Sequence, residues 1–435
     1  MSTHMSALPS MPEAVDRDPA MAAAWLDVLR GSPEHPSLVE DVRRIVERWP
    51  ADAALVIRAC DALIRMAERI PFDEPSAAAG PARLAVDAVE RCLAAAPTLG
   101  AQDSLFGYLH INRANALRLL HAYDEALPAF ETALRAQPDN GGWWFNLGLL
   151  HKARLAFREG LDANLRARAL LGNQKAVLWN LSICATALGE GQTAVESLRS
   201  LGHDARLAPS GMPYVDDLPP VQVRAASIGS GLGPDATVPE RAVGFELLWV
   251  TPISPCHGVV SSPSFRDASI DYGDVVLWEP VPLGVSEHDG RPVPRFALLA
   301  VLKKGSEHRF RYVALEQEPE QVAALARELP QNCQLFVHDE RVEMLCARCA
   351  SGEHMRKHQH SPVEPHRLSY GKLVVAGGLD LRAFRADLDA LVRRNTGVQI
   401  VVPGLFEALG DSAAAGQAHQ MWRGLERTSA KRPGA

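Results

Sequence analysis

Several features that mark particular protein classes are missing from this sequence of 435 residues. No run reaches the roughly 18 to 20 apolar residues that a membrane-spanning helix needs. The N-terminal MSTHMSALPSMPEAVDRDPA has no basic segment followed by an apolar core, as a secretory signal would. The seven cysteines are odd in number and scattered except for Cys346 and Cys349, which disfavours a disulfide framework. These absences predict a cytoplasmic protein with no membrane partner.

Common catalytic signatures are missing as well. The sequence contains no G-x-S-x-G, no H-E-x-x-H, no phosphate-binding loop and no dinucleotide fingerprint. Its 45 basic and 52 acidic side chains give a formal charge of −7, the wrong sign for a protein whose main partner is a phosphate backbone. With 47% hydrophobic and 22% charged residues, the composition is that of a globular protein long enough for two or three domains.

The segment 20–207 has the pattern of amphipathic helices. It is rich in Ala, Leu, Arg and Glu, and apolar residues recur three and four positions apart, as in Val39–Val46 and Leu84–Leu93. Part of it also repeats, because Asn112, Asn146 and Asn180 are separated by 34 residues each. The segment therefore predicts a helical first domain built from repeated units.

The residues around these asparagines resemble the tetratricopeptide repeat over about 107–208, with a weaker unit over roughly 52–97. Trp144, Leu147, Gly148 and His151 match W-x₂-L-G-x₂-Y except for His in place of Tyr, and the preceding unit carries Ala126, Phe130, Ala133 and Pro138 at the spacing of a second helix and its closing turn. The middle unit departs from the pattern at Gly160 and Asn164, so its second helix is expected to be shifted or lengthened. An irregular helical bundle, in which the tryptophans are only core residues, is the alternative.

The resemblance implies a concave groove lined by the first helix of each hairpin. Residues at the groove positions are Asn112, Asn115, Phe145, Asn146, Trp179 and Asn180. Asparagine amides can bind the backbone of an extended peptide with both a donor and an acceptor, and the alternative for each is a hydrogen bond between helices. The positions where the family carries lysines that clamp a C-terminal carboxylate hold Ile111 and Ala176, so that mode is not expected.

The composition changes after the helical segment. Residues 208–240 are rich in Pro and Gly and predict a linker that holds one plausible strand, Val221–Ser227. Beyond it, segments rich in β-branched and aromatic residues alternate with turns, and helical patterns return near 381–394 and 413–427. We expect an α+β domain over 241–430, for which the residues show no family resemblance.

A Cys/His cluster at 346–360 is the most specific chemical signal. Cys346 and Cys349 are two residues apart, and His354, His358 and His360 follow. Two thiolates in a tight turn with His354 and one of the later histidines would complete a tetrahedral zinc site, and four protein ligands indicate a structural role. The first three ligands resemble a zinc knuckle, whose fourth ligand is usually cysteine. A redox dithiol, two packed thiols or a solvated polar loop are the alternatives.

Together these patterns predict a protein–protein interaction scaffold or adaptor, which binds a partner segment in the groove and carries structural zinc in the second domain. The alternative is an enzyme, a hydrolase or a thiol enzyme, with its site around Cys256, His257 and the Cys346 cluster. Cys256 or His257 could equally replace a histidine at the metal. Nucleic-acid binding through the knuckle-like loop is disfavoured by the acidic charge and by the lack of aromatic residues around it. The oligomeric state is left open.

Overall fold

The computed structural model describes residues 10–69, 75–97, 99–100, 103–226, 245–265, 268–346 and 363–429. The chain forms two compact units. The first, here called the helical unit, comprises Met1–Leu218 with Ile253–Cys256 and Glu279–Val285. The second, here called the sheet unit, comprises Pro219–Pro252, His257–Trp278 and Ser286–Ala435. The three consecutive ranges expected from composition differ from this division, because two short segments from the strand-rich half belong to the helical unit.

The helical unit confirms the expectation of a helical N-terminal half. After a 3-10 turn at Glu13–Asp16, its described residues form ten helices: α1 (Pro19–Gly31), α2 (Leu38–Arg48), α3 (Ala53–Arg69), α4 (Pro75–Ala95), α5 (Ser104–Leu119), α6 (Tyr123–Ala136), α7 (Gly141–Ala153), α8 (Phe157–Leu171), α9 (Lys175–Ala187) and α10 (Gly191–Ser200). The last eight pack as the consecutive hairpins α3/α4, α5/α6, α7/α8 and α9/α10. A two-stranded sheet, β1 (Arg206–Leu207) with β2 (Pro213–Tyr214), follows α10.

The turns inside the last three hairpins repeat with the same 34-residue period as the asparagines. His121, Leu155 and Gly189 each adopt a left-handed backbone conformation, with φ of 58°, 59° and 73°. In every case the next amide donates to the carbonyl five residues earlier, as in Ala156 N to His151 O at 2.9 Å, which closes the C-terminus of the first helix. Only glycine adopts this conformation without steric cost, so two of the three turns are strained.

Helix packing in the middle hairpin depends on small residues. Gly148 on α7 faces Asn164 on α8, and a Cβ at residue 148 would overlap the Asn164 amide. Asn164 is fully buried and its Nδ2 donates to the carbonyl of Gly160 at 2.7 Å. Helix α8 nevertheless begins 34 residues after α6 and has 15 residues against 14. The unusual residues are therefore accommodated without shifting the helix.

The sheet unit contains two sheets, as expected for an α+β domain. The first comprises β3 (Val221–Ala226), β4 (Phe245–Ser254), β5 (His257–Val260), β6 (Val275–Trp278), β7 (Gly284–His288) and β8 (Arg291–Lys303), in the order β3-β4-β5-β6-β8-β7. Strand β3 also pairs with β8 in parallel, which closes five strands into a small barrel around Val223, Val250, Val276 and Trp278. Strand β3 lies inside the range that composition assigned to a linker.

The second sheet is antiparallel, in the order β10-β11-β9-β12. It is formed by β9 (His308–Glu316), β10 (Cys333–Cys346), β11 (Val363–Val375) and β12 (Val398–Val401), with α11 (Gln321–Arg327), α12 (Leu381–Arg394), α13 (Pro403–Ala408) and α14 (Ser412–Ser429). Apolar side chains from the sheet and these helices, including Tyr312, Leu325, Leu373 and Phe384, form its core. Among the helices that the structure describes, none is both long and apolar enough to cross a membrane.

Candidate partner-binding groove

The predicted groove residues lie on the first helices of three successive hairpins. Asn112 and Asn115 are on α5, Phe145 and Asn146 on α7, and Trp179 and Asn180 on α9. The repeat spacing gives Asn112, Asn146 and Asn180 equivalent helical positions. Their hydrogen bonds differ nevertheless, and these bonds decide which of them are available to a partner.

The side-chain amides of two of the three equivalent asparagines form hydrogen bonds with neighbouring helices. Asn112 Nδ2 donates to the carbonyl of Ile57 on α3 at 3.2 Å, and Asn180 Oδ1 accepts from Lys152 on α7 at 2.8 Å. Both side chains are buried. For Asn112 and Asn180 the structure therefore shows the interhelical alternative, although Asn180 Nδ2 has no partner among the described residues.

Two other predicted groove residues have side-chain polar atoms without hydrogen-bond partners among the described residues. Asn146 is half-buried and makes no side-chain hydrogen bond within the described part of the chain. The Oδ1 atom of Asn115 is buried and likewise has no partner there. These amides provide hydrogen-bonding capacity on adjacent first helices, α5 and α7.

The two predicted aromatic groove residues pack against apolar clusters. Phe145 is half-buried against the apolar cluster that contains Leu161 and Val177. Trp179 packs against the apolar cluster that contains Val195 and Leu198, and its ring centroid lies 5.6 Å from that of His203. Both therefore contribute to packing between helices, and each is only partly exposed.

A buried lysine that sequence reasoning missed lies beside Asn180. Lys152 on α7 has a nearly buried side chain, and its Nζ lies 2.8 Å from Asn180 Oδ1 and 2.5 Å from Glu279 Oε2. A buried ammonium is costly unless it is paired, so the carboxylate and the amide together stabilise its charge. The only sequence signal was a lysine in the last turn of an otherwise apolar helix.

The enzyme alternative at Cys256 and His257 is not supported. Both side chains are fully buried, and Cys256 Sγ lies 3.9 Å from Thr186 Oγ1. Burial raises the pKa of Cys256 to about 11 and lowers the pKa of His257 to about 4. Because the thiolate is the reactive form of cysteine, a protonated and inaccessible thiol is a poor nucleophile.

A cavity of about 700 Å³ in the sheet unit is a second candidate surface. Its lining includes Lys372, whose Nζ lies 2.5 Å from Asp271 and 2.6 Å from Ser264 Oγ. Burial raises the pKa of Asp271, but the bonds from Lys372 and from backbone amides outweigh burial and leave that pKa below its ordinary value. His419 is likewise 2.6 Å from Glu407. These charged side chains of the cavity are thus already paired with neighbouring groups.

Most of the predicted zinc ligands lie outside the described residues. Cys346 ends β10, where it pairs with Val363 of β11. Cys349, His354, His358 and His360 fall in the range 347–362, which the structure does not describe. Within the described ranges, no group of three or more His, Cys, Asp or Glu side chains is placed to hold a metal ion.

Solved structures similar to this chain match its helical half. One is MamA from Desulfovibrio magneticus RS-1, with 18% identity over 44% of this chain and 96% of that chain and a TM-score of 0.34. Another is YrrB, a TPR protein with an unusual peptide-binding site, with 15% identity over 45% of this chain and 91% of that chain and a TM-score of 0.31. No protein-family model and no curated protein sequence matches the chain. The last three hairpins, α5 to α10, lie in 34-residue register and themselves make this part of the helical half a tetratricopeptide-like array.

Proposed function

We propose that this chain is an interaction scaffold or adaptor, in which the first helices of the helical unit bind a segment of a partner protein. The proposal rests on one observation: the side-chain amides of Asn115 and Asn146, on adjacent first helices, have atoms without hydrogen-bond partners among the described residues. Polar side chains held on a rigid helical face suit the backbone of an extended peptide. Buried polar atoms are normally paired, so a buried amide oxygen without a partner on this face favours a ligand that would supply the donor.

The test compares two asparagines with different surroundings. Immobilised full-length protein would capture partners from native lysate, and the captured proteins would be identified by mass spectrometry. Asn146→Ala is expected to lose a defined subset of them. Asn173→Ala is the matched control, because Asn173 is an exposed asparagine between α8 and α9, outside the first helices. An identical set captured by both variants would contradict the proposal.

We also propose that zinc stabilises the end of the β10–β11 hairpin. The strand register places Cys346 beside Val363, and the sequence between these two residues carries Cys349, His354, His358 and His360. One thiolate ligand would thus stand at the strand end and the others in the segment that joins the strands. Elemental analysis of the purified protein tests this proposal directly.

A further inference from the structure

Two cations occupy equivalent positions on adjacent first helices. Arg118 on α5 and Lys152 on α7 are separated by 34 residues, the repeat length, and the next equivalent residue on α9 is Thr186. Neither cation is a freely solvated surface residue, since the side chains of Arg118 and Lys152 are only 16% and 8% exposed. The first helices therefore carry a short cationic row, defined here as Arg118 and Lys152, that ends at α9.

Each cation already binds a carboxylate from outside its own helix. Arg118 Nη2 lies 2.8 Å from Glu68 Oε1 of α3. Lys152 binds Glu279, which belongs to neither its hairpin nor any other repeat and comes from the short segment Glu279–Val285 of the helical unit. An acidic residue of a non-repeat segment thus shows which chemistry the Lys152 position accepts.

Several hydrogen-bond donors and acceptors beside the cationic row have no partner among the described residues. The Nε of Arg118 and the Oδ1 of Asn115, one turn earlier on the same helix, are buried without partners among the described residues. Beside Lys152, the Nδ2 of Asn180 is in the same state. An arginine fork favours a carboxylate that it can bind with two parallel N–H bonds, and Glu68 contacts a single nitrogen of Arg118.

We infer that the partner segment is acidic and places one carboxylate on Arg118 and another on Lys152 and Asn180, the second in exchange with Glu279. Neighbouring helices pack about 8 to 10 Å apart, and an extended peptide advances about 3.3 Å per residue. A separation of that size between α5 and α7 would place the two acidic residues about three positions apart, as in Glu-x-x-Glu. This inference rests on the proposed groove and adds the chemistry of its ligand.

The test uses a phage-displayed library of random 12-residue peptides, selected on the full-length protein. Acidic residues three positions apart should be enriched on the wild type, and the enrichment should disappear on Arg118→Met and on Lys152→Met. Arg154→Met is the matched control, because Arg154 is the C-cap residue immediately after the helix of Lys152 and pairs with the exposed Asp124. It should keep the enrichment.

A peptide from this selection then tests the exchange with Glu279. Its affinity should rise about tenfold in Glu279→Gln, since the competing charge is gone, and the rise should vanish in the Lys152→Met/Glu279→Gln double variant. Melting temperatures would confirm that each variant is folded. Unchanged or weaker binding by folded Glu279→Gln would overturn the exchange.

The selection separates this inference from the proposed function. Peptides enriched without acidic residues would overturn the acidic ligand and leave the groove standing. If no peptide is enriched and no partner subset is lost in Asn146→Ala, the groove itself is refuted.

Discussion

Replacing Gly148 by Ala tests how tightly the middle hairpin is packed. The added methyl group would lie 2.8 Å from Cγ of Asn164 and closer still to its amide nitrogen, well inside van der Waals contact. Asn164 has little freedom to move, because it is fully buried and bound to the Gly160 carbonyl. The helices must therefore separate, or the asparagine must give up its hydrogen bond.

The expected loss follows from three contributions. Overpacking in a filled core costs about 1 to 3 kcal/mol, and loss of the Asn164 bond to Gly160 about 1 kcal/mol more. Alanine offsets about 1 kcal/mol of this through its better helix propensity. We expect Gly148→Ala to lower the free energy of unfolding of the helical unit by about 1 to 3 kcal/mol, measured by urea titration with circular dichroism at 222 nm.

Two further variants make the reasoning refutable. In Gly148→Ala/Asn164→Ala the space is reopened, so the double variant should be more stable than the sum of the single losses predicts, by about 1 to 2 kcal/mol. Gly142→Ala on the same helix is the control, because its added Cβ would meet its nearest atom at 3.4 Å, an ordinary contact. Strictly additive losses, or a Gly148→Ala variant as stable as the wild type, would refute the proposed clash.

Leu155→Gly should raise the free energy of unfolding by about 0.5 to 1 kcal/mol, because glycine removes the strain of the left-handed conformation. Gly189→Ala should lower the free energy of unfolding, and urea titration measures both changes. For His257 the folded pKa is lowered from 6.5 to about 4, so between these pH values the unfolded chain binds the extra proton. Stability should therefore fall by up to about 3 kcal/mol as the pH drops through this window, and the difference between wild type and His257→Gln in urea titrations at pH 7 and 4.5 measures it. A pH-independent difference would contradict this. If zinc is bound, the purified protein should carry about one equivalent of zinc per chain, and a chelator or acidification toward pH 5 should remove it. Loss of zinc should loosen the sheet unit alone, and Cys349→Ser should have the same effect. A metal-free protein whose sheet unit still resists protease would rule out the structural zinc site.

The helical half was predictable because its information is local and repeated. Apolar spacing gave the helices, and the asparagine period gave the register of the hairpins. The left-handed turns show the limit of local prediction. A glycine such as Gly189 indicates a left-handed turn by itself, whereas His121 and Leu155 indicate one only because they occupy the equivalent repeat position.

The sheet unit was predictable only in its parts. The β-branched and aromatic composition of Asp274–Trp278 is typical of a strand and coincides with β6, and that of Phe310–Leu315 coincides with β9. Closure of the barrel depends on the parallel pairing of β3 with β8, about seventy residues apart, and no local pattern encodes such a contact. For the same reason composition could not show that Glu279–Val285 belongs to the helical unit.

The asparagines show why a repeat pattern predicts geometry better than chemistry. Asn112, Asn146 and Asn180 occupy equivalent positions, yet one bonds to a carbonyl, one to a lysine and one to nothing in the described chain. Their neighbours one layer away decide this, and those neighbours do not repeat. The position of Arg118, Lys152 and Thr186 varies in the same way. Because neighbours that do not repeat determine the chemistry of these positions, we expect differences in partner preference within this array to come from variable positions such as Arg118 and Lys152, each of which already binds a carboxylate.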